Sequence, residues 1–246
     1  MLLQGTGCRW GKCTFCDYHS DTSDNPFIVN EPILRQVTGV YGILDIINSG
    51  SAMELDDETI DLIREIIHEK HIHTLWFEAH YMYRKKLADF AQLFAPAKVK
   101  FRCGVETFSS TLRNHWKKGI PTDVTAEDIA KYFQGVCLLC CTEGESRERI
   151  QNDIALARQH FEYFSVNLFC NNTTTVKRDE ELTEENERLR EDNHILATEF
   201  KDNIIADTVR KMQETLEQRI HSKLSYHGWY LKETVIAEVA KEMLEG

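Results

Sequence analysis

Short apolar runs alternate with stretches of helical spacing along the first 178 residues of this chain. Residues 2–4 are apolar and stop at Gly5, which suits a short buried strand. Asn30 can cap a short helix through Val37, and residues 43–47 predict a second strand, stopped by Asn48-Ser49-Gly50-Ser51. Between residues 56 and 70, Ile60, Ile63, Ile66 and Ile67 recur at helical spacing behind an acidic first turn. Residues 73–77 predict a third strand, 83–94 a helix closed by Pro96, and 99–105 a fourth strand ending at Glu106. A helix over 125–133, a strand over 136–140, a helix over 146–161 and a strand over 163–170 complete the series. Such alternation calls for a parallel sheet with right-handed crossovers. The runs are too apolar for strands with one wet face, so helices should cover the sheet. An α/β fold follows, a curved partial barrel with its site at the C-terminal strand ends.

From about Asp179 the pattern changes. No proline follows Pro121, and no glycine lies between Gly144 and Gly228. Leu189, Leu196, Phe200, Ile204, Met212, Leu216 and Ile220 recur at helical spacing amid dense charge. The expected organisation is a partial barrel over 1–178 and a helical C-terminal extension over 179–246, closed by a helix over 232–244. The extension would pack on the barrel or on a second subunit, making a homodimer; its spacing does not hold a strict heptad.

Composition narrows the class. A chain of 246 residues can bury one sizeable core. Its net charge of -11 argues against binding a phosphate backbone and favours a small-molecule substrate. No run approaches the ~20 apolar residues of a membrane span. The start, Met1-Leu2-Leu3-Gln4, has no basic segment or long apolar run of a secretory signal. Eight cysteines without such a signal suggest metal binding in a reducing cytoplasm.

Cys8, Cys13 and Cys16 form a C-x4-C-x2-C run on a glycine-bearing loop directly after the first strand. Three thiolates on one loop can hold three corners of a metal centre and leave a fourth open, as a catalytic centre requires. A structural zinc site is the main rival, because His19 would complete a Cys3His set and leave a binding module for a nucleotide-like ligand. A ferredoxin would want a fourth cysteine nearby. Cys137, Cys140 and Cys141 lie in or at the end of an apolar strand and read as small buried hydrophobes, as do Cys103 and Cys170. His68, His71 and His73 fall at a helix end and in the next loop, which explains them without a metal.

These residues resemble the radical S-adenosylmethionine (radical SAM) family. Gly7-Cys8 to Cys16 is similar to its cluster loop, with four residues between the first two cysteines where three are most common. Phe15 matches the aromatic residue before the last cysteine, near the cofactor's adenine. Asn48-Ser49-Gly50-Ser51 stands where the family's glycine-rich motif receives the cofactor's amino group. Gly104-Val105-Glu106-Thr107, with Arg113 and Lys118-Gly119, resembles the fourth-strand motif whose acidic residue faces the cofactor. The resemblance covers about residues 1–178. Within the family it points to the small branch acting on 7-deazaguanine bases, the queuine lyases, which release the cyclopentenediol part of queuine and leave 7-aminomethyl-7-deazaguanine (preQ1).

The resemblance implies a [4Fe-4S] cluster on Cys8, Cys13 and Cys16, with S-adenosylmethionine on the fourth iron and a 5′-deoxyadenosyl radical as the reactive species. No side chain is then catalytic in the covalent sense, and an electron donor such as flavodoxin or ferredoxin is needed. Phe15, Asn48, Ser49, Gly50, Ser51 and Glu106 become the expected cofactor contacts. Glu78, His80 and Asn171, at the ends of strands three and six, become the expected substrate contacts. A radical SAM oxidoreductase or a tRNA-modifying member are alternatives within the family.

Overall fold

The structure, a computed structural model, describes residues 1–185 and 188. Met1–Thr183 form one compact unit. Of the helical extension expected over 179–246, residues 180–185 are described and are helical; the rest, with the closing helix and the role in a dimer, lies outside the described residues apart from residue 188.

Six strands lie in sequence order in one sheet: β1 Leu2–Leu3, β2 Ile43–Asn48, β3 Thr74–Ala79, β4 Lys98–Glu106, β5 Gly135–Cys140 and β6 Tyr163–Leu168. Every neighbouring pair is parallel. The helices are α1 Pro26–Leu34, α2 Asp57–Glu69, α3 Leu87–Gln92, α4 Ser110–His115, α5 Ala126–Ala130 and α6 Arg147–His160. The architecture is the expected partial (β/α)6 barrel. No helix among the described residues is long and apolar enough to cross a membrane.

Local chemistry explains most boundaries. The Asp56 carboxylate accepts from the Thr59 N–H at 2.8 Å and starts α2, whose Leu62, Ile63, Ile66 and Ile67 are buried. Ser146 accepts from the Arg149 N–H to start α6 in the same way. The first helix departs from expectation. Asn25, not Asn30, is its cap, and Pro26 takes the first turn, where its missing N–H costs nothing. Asn30 is buried inside the helix, where its amide bonds both the N–H (2.7 Å) and the carbonyl (2.8 Å) of Gln4. The expected helix from residue 83 begins only at Leu87, after a 3-10 turn over Tyr81–Tyr83. Short α4 was not expected at all.

Strand alternation sorts the side chains. Leu44, Ile46, Leu75, Phe77, Phe101, Cys103, Val105, Val136 and Leu138 are buried in the main core. The register then places Asp45, Trp76, Lys100, Glu78, Arg102, Gly104 and Cys137 together on the other, concave face. Partway along this face, Asp45 pairs with Arg102, Trp76 packs on Tyr163 at 5.5 Å, and the Arg102 guanidinium lies over the Tyr163 ring. This layer fills the lumen below the C-terminal strand ends.

Candidate active site

The cysteine loop lies over those strand ends and is pinned on three sides. On the β2 side, the Thr6 N–H donates to the Glu54 carbonyl at 2.7 Å, and the Arg9 N–H to the Glu54 carboxylate at 3.0 Å. The same carboxylate accepts from the Ser51 N–H (2.6 Å) and the Tyr83 hydroxyl (2.8 Å). On the β4 side, the Thr14 N–H donates to the Trp116 carbonyl and the Trp10 indole N–H to the Lys117 carbonyl. On the β6 side, the Asn172 amide donates to the Phe15 carbonyl, while the Asp17 carboxylate accepts from both the N–H and hydroxyl of Thr173. Those two bonds pull the Asp17 pKa below its usual value. Gly7 and Gly11 turn the loop at positive φ, 111° and 53°.

Cys8, Cys13 and Cys16 are half-buried thiols on this loop. Burial pushes the Cys13 thiol up to about 11, opposed by Lys118, and burial raises Cys16 as well. Coordination would deprotonate them outright. Among the described residues no three His, Cys, Asp or Glu side chains converge on a point suited to a single metal ion. Three half-buried thiols on one loop are a donor set that fits a cluster bound at three irons.

The segment after β2 is buried around its own hydrogen bonds. The Ser49 hydroxyl accepts from the Gly5 N–H, the Ser51 hydroxyl from the His80 N–H, and the Asn48 amide donates to the Ser51 carbonyl. Asn48 Oδ1 is buried without a partner, an acceptor suited to a ligand's ammonium group. A Cβ on Gly50 would overlap the Glu54 carboxylate and stand 3.5 Å from the Cys8 Cα. Phe15 is buried under the loop against Trp116 and Phe169.

Glu106 ends β4 after a bulge, at φ 65°, and accepts from Lys118 Nζ at 2.7 Å. Burial works against the Lys118 ammonium, but Glu106 and the neighbouring thiols outweigh it and hold its pKa above the usual value. Lys118 also lies over the Phe15 ring. Glu78 sits beside this pair on the concave face; burial raises its pKa, and Glu106 adds to the shift.

The other two expected substrate contacts have different occupations. His80 Nδ1 accepts from the Met82 N–H, so Nε2 carries the proton and donates to the Lys118 carbonyl at 2.7 Å. Its ring stacks on Trp10 at 5.3 Å. Burial lowers its pKa to about 4, and Lys118 adds to the effect, so it is a neutral clamp on the cysteine loop. Asn171 is exposed and accepts from the Arg178 N–H; it is Asn172 that reaches the cysteine loop.

Sequence reasoning missed Glu54, Trp10 and Asn172, whose partners lie far away along the chain. It also missed a cleft of about 540 Å³ that meets the loop's base at Trp116 and is lined by Ser109, Thr142, Glu145 and Lys177. Cys103, Cys137, Cys140 and Cys141 are buried, in keeping with their expected role, whereas Cys170 is exposed.

No protein-family model matches the chain, and no curated protein does. Among solved structures, the queuine lyase from Clostridium spiroforme bound to SAM and queuine superposes with a TM-score of 0.70 at 39% identity. The match covers 75% of this chain and 81% of that one. Identity at that level over most of both chains, on the same partial barrel, shows kinship: the chain belongs to the radical SAM family, on the queuine lyase branch.

Proposed function

We propose that this protein is a radical SAM lyase that cleaves queuine to preQ1 in queuosine precursor salvage. The observation carrying the reading is the cysteine loop, pinned on three sides over a lumen whose upper end holds Glu78, Glu106 and Lys118. Kinship with a queuine lyase that holds SAM and queuine supports the choice of cofactor and substrate. When bound, a [4Fe-4S] cluster on Cys8, Cys13 and Cys16 and S-adenosylmethionine supply a 5′-deoxyadenosyl radical by one-electron cleavage.

The chain's own residues bind, orient and shield. Asn48 Oδ1 and the main chain of Ser49 to Ser51 receive the cofactor's amino group. Glu106, steadied by Lys118, takes the ribose hydroxyls, and Phe15 supports the adenine side. Glu78 faces the base. The Trp76–Tyr163 layer and the Asp45–Arg102 pair shut the lumen from below, which keeps water from the reacting carbon. A reducing cytoplasm would preserve the thiols, and a flavodoxin or ferredoxin would supply the electron.

The test is anaerobic reconstitution with iron and sulfide, followed by S-adenosylmethionine, dithionite and queuine. The expected result is a visible chromophore bleached by dithionite, 5′-deoxyadenosine, and preQ1 formed only with queuine. A colourless zinc protein, or deoxyadenosine formation without any preQ1, would overturn the reading.

A further inference from the structure

Three carboxylates share the lumen's concave face, and two of them already hold a cation. Asp45 is bound by Arg102 at 2.8 Å and Glu106 by Lys118 at 2.7 Å. Glu78 is different. Arg102 Nε stands 3.8 Å from its Oε2, outside hydrogen-bond distance, and the donor in place is the Cys137 thiol at 3.4 Å. Its other oxygen, Oε1, lies close over Gly104, where even a methyl group would be crowded. A Cβ there would stand 3.1 Å from Glu78 Oε1, 3.2 Å from Glu106 Oε1 and 3.4 Å from Lys118 Nζ.

A carboxylate 25% exposed at the lumen face, with only a weak thiol donor, has acceptor capacity to spare, and N–H donors arriving with a ligand would fill it. A carboxylate accepts along several lone-pair directions, so the thiol leaves room for two more bonds. Two parallel N–H groups fit it best, as in the bidentate pairing of a guanidinium with a carboxylate. A guanine-type ring displays such a pair, its ring N–H beside its exocyclic amine. Below this carboxylate on the same face, Trp76 is already engaged by Tyr163 and by Lys100 Nζ over its ring, so the ligand's donors meet the face at Glu78.

We propose that Glu78 selects the base, accepting from the ring N–H and exocyclic amine of an aminopyrimidinone and rejecting rings without the amine. This rests on the lumen being the base site of the proposed lyase. Glu106 is excluded from the role because Lys118 already engages it, and Asp45 because Arg102 does.

The test is calorimetric titration of the full-length, reconstituted protein with S-adenosylmethionine present, using 7-deazaguanine and 7-deazahypoxanthine, which differ only in the amine. The unmodified protein should prefer 7-deazaguanine by about 10-fold or more, the size of one charge-assisted bond. E78Q, which replaces one acceptor oxygen by a donor of equal size, should shrink that ratio to within about threefold. Equal binding of the two bases by the unmodified protein, binding of neither, or an undiminished ratio in E78Q would each overturn the proposal. A ligand-side measurement decides the matter even where E78Q folds poorly. On the unmodified protein, 1-methyl-7-deazaguanine, whose ring N–H is blocked, should bind about 10-fold more weakly than 7-deazaguanine; equal binding overturns the proposal. A preference that depends on Glu78 without queuine turnover would refute the lyase reading and leave this one standing. Turnover with no preference would do the reverse.

Discussion

Replacing Lys118 by Met separates the charge from the bulk of that side chain. The Lys118–Glu106 pair is 10% and 12% exposed at 2.7 Å, so each partner depends on the other for solvation. Removing one member of such a pair costs about 3–5 kcal/mol, because the remaining charge stays buried. Met keeps most of the apolar stem, so little of the loss should come from packing, while the ammonium's contact with the Phe15 ring goes with the charge. Lys118 also helps hold down the Glu78 pKa, which burial and Glu106 raise. In K118M the native state therefore binds a proton at Glu78 more tightly than the unfolded chain does, and stability rises as pH falls through that raised value. The deficit should be largest at neutral to alkaline pH and shrink toward acid. E106Q in the same chain removes the stranded charge and should recover roughly 2 kcal/mol or more as coupling energy. Urea unfolding of the reduced apo-protein at two pH values, for the wild type, both single variants and the double variant, measures all of this. Additive losses, or a K118M deficit under about 1 kcal/mol, would show that solvent reaches the pair and refute the reasoning.

Gly50→Ala should disturb the cysteine loop through the overlap with the Glu54 carboxylate, lowering iron uptake on reconstitution while far-ultraviolet circular dichroism stays unchanged. Stability should fall as pH drops from 6.5 toward about 4, because the unfolded chain protonates His80 while the folded one keeps it neutral. Partial exposure limits the loss to roughly 2 kcal/mol, and His80→Gln should flatten that part of the pH–stability curve in thermal melts. Cys13→Ala should abolish iron binding and S-adenosylmethionine cleavage, whereas Cys140→Ala, in the core, should leave iron content at the wild-type value; iron assay and chromatography of deoxyadenosine check both.

The alternation of apolar runs and helical stretches was enough to read all six strands, because burial against helices imposes local patterns on each strand. Helix starts were less legible. Asn30 has a capping side chain, but it was needed to bond Gln4, 26 positions away, and Pro26 beside Asn25 was the better local signal. The cysteine loop was legible because its three cysteines lie within nine residues of one another. Its attachments were not, since Asn172 meets Phe15 across 157 positions. Likewise, no spacing rule distinguishes Asn171, turned to Arg178, from Asn172, turned to the loop.

By itself, then, the sequence determined the order of the six strands, the fold class and the motif that marks the family, all of which follow from short-range spacing. Only the tertiary structure decided what each polar group at the barrel mouth does. Parallel register sets Glu78 beside Arg102 and Gly104 beside Cys137, and a bulge turns Glu106 toward Lys118. Which carboxylate is neutralised, and which still lacks a strong donor, depends on those crossings between strands far apart in sequence.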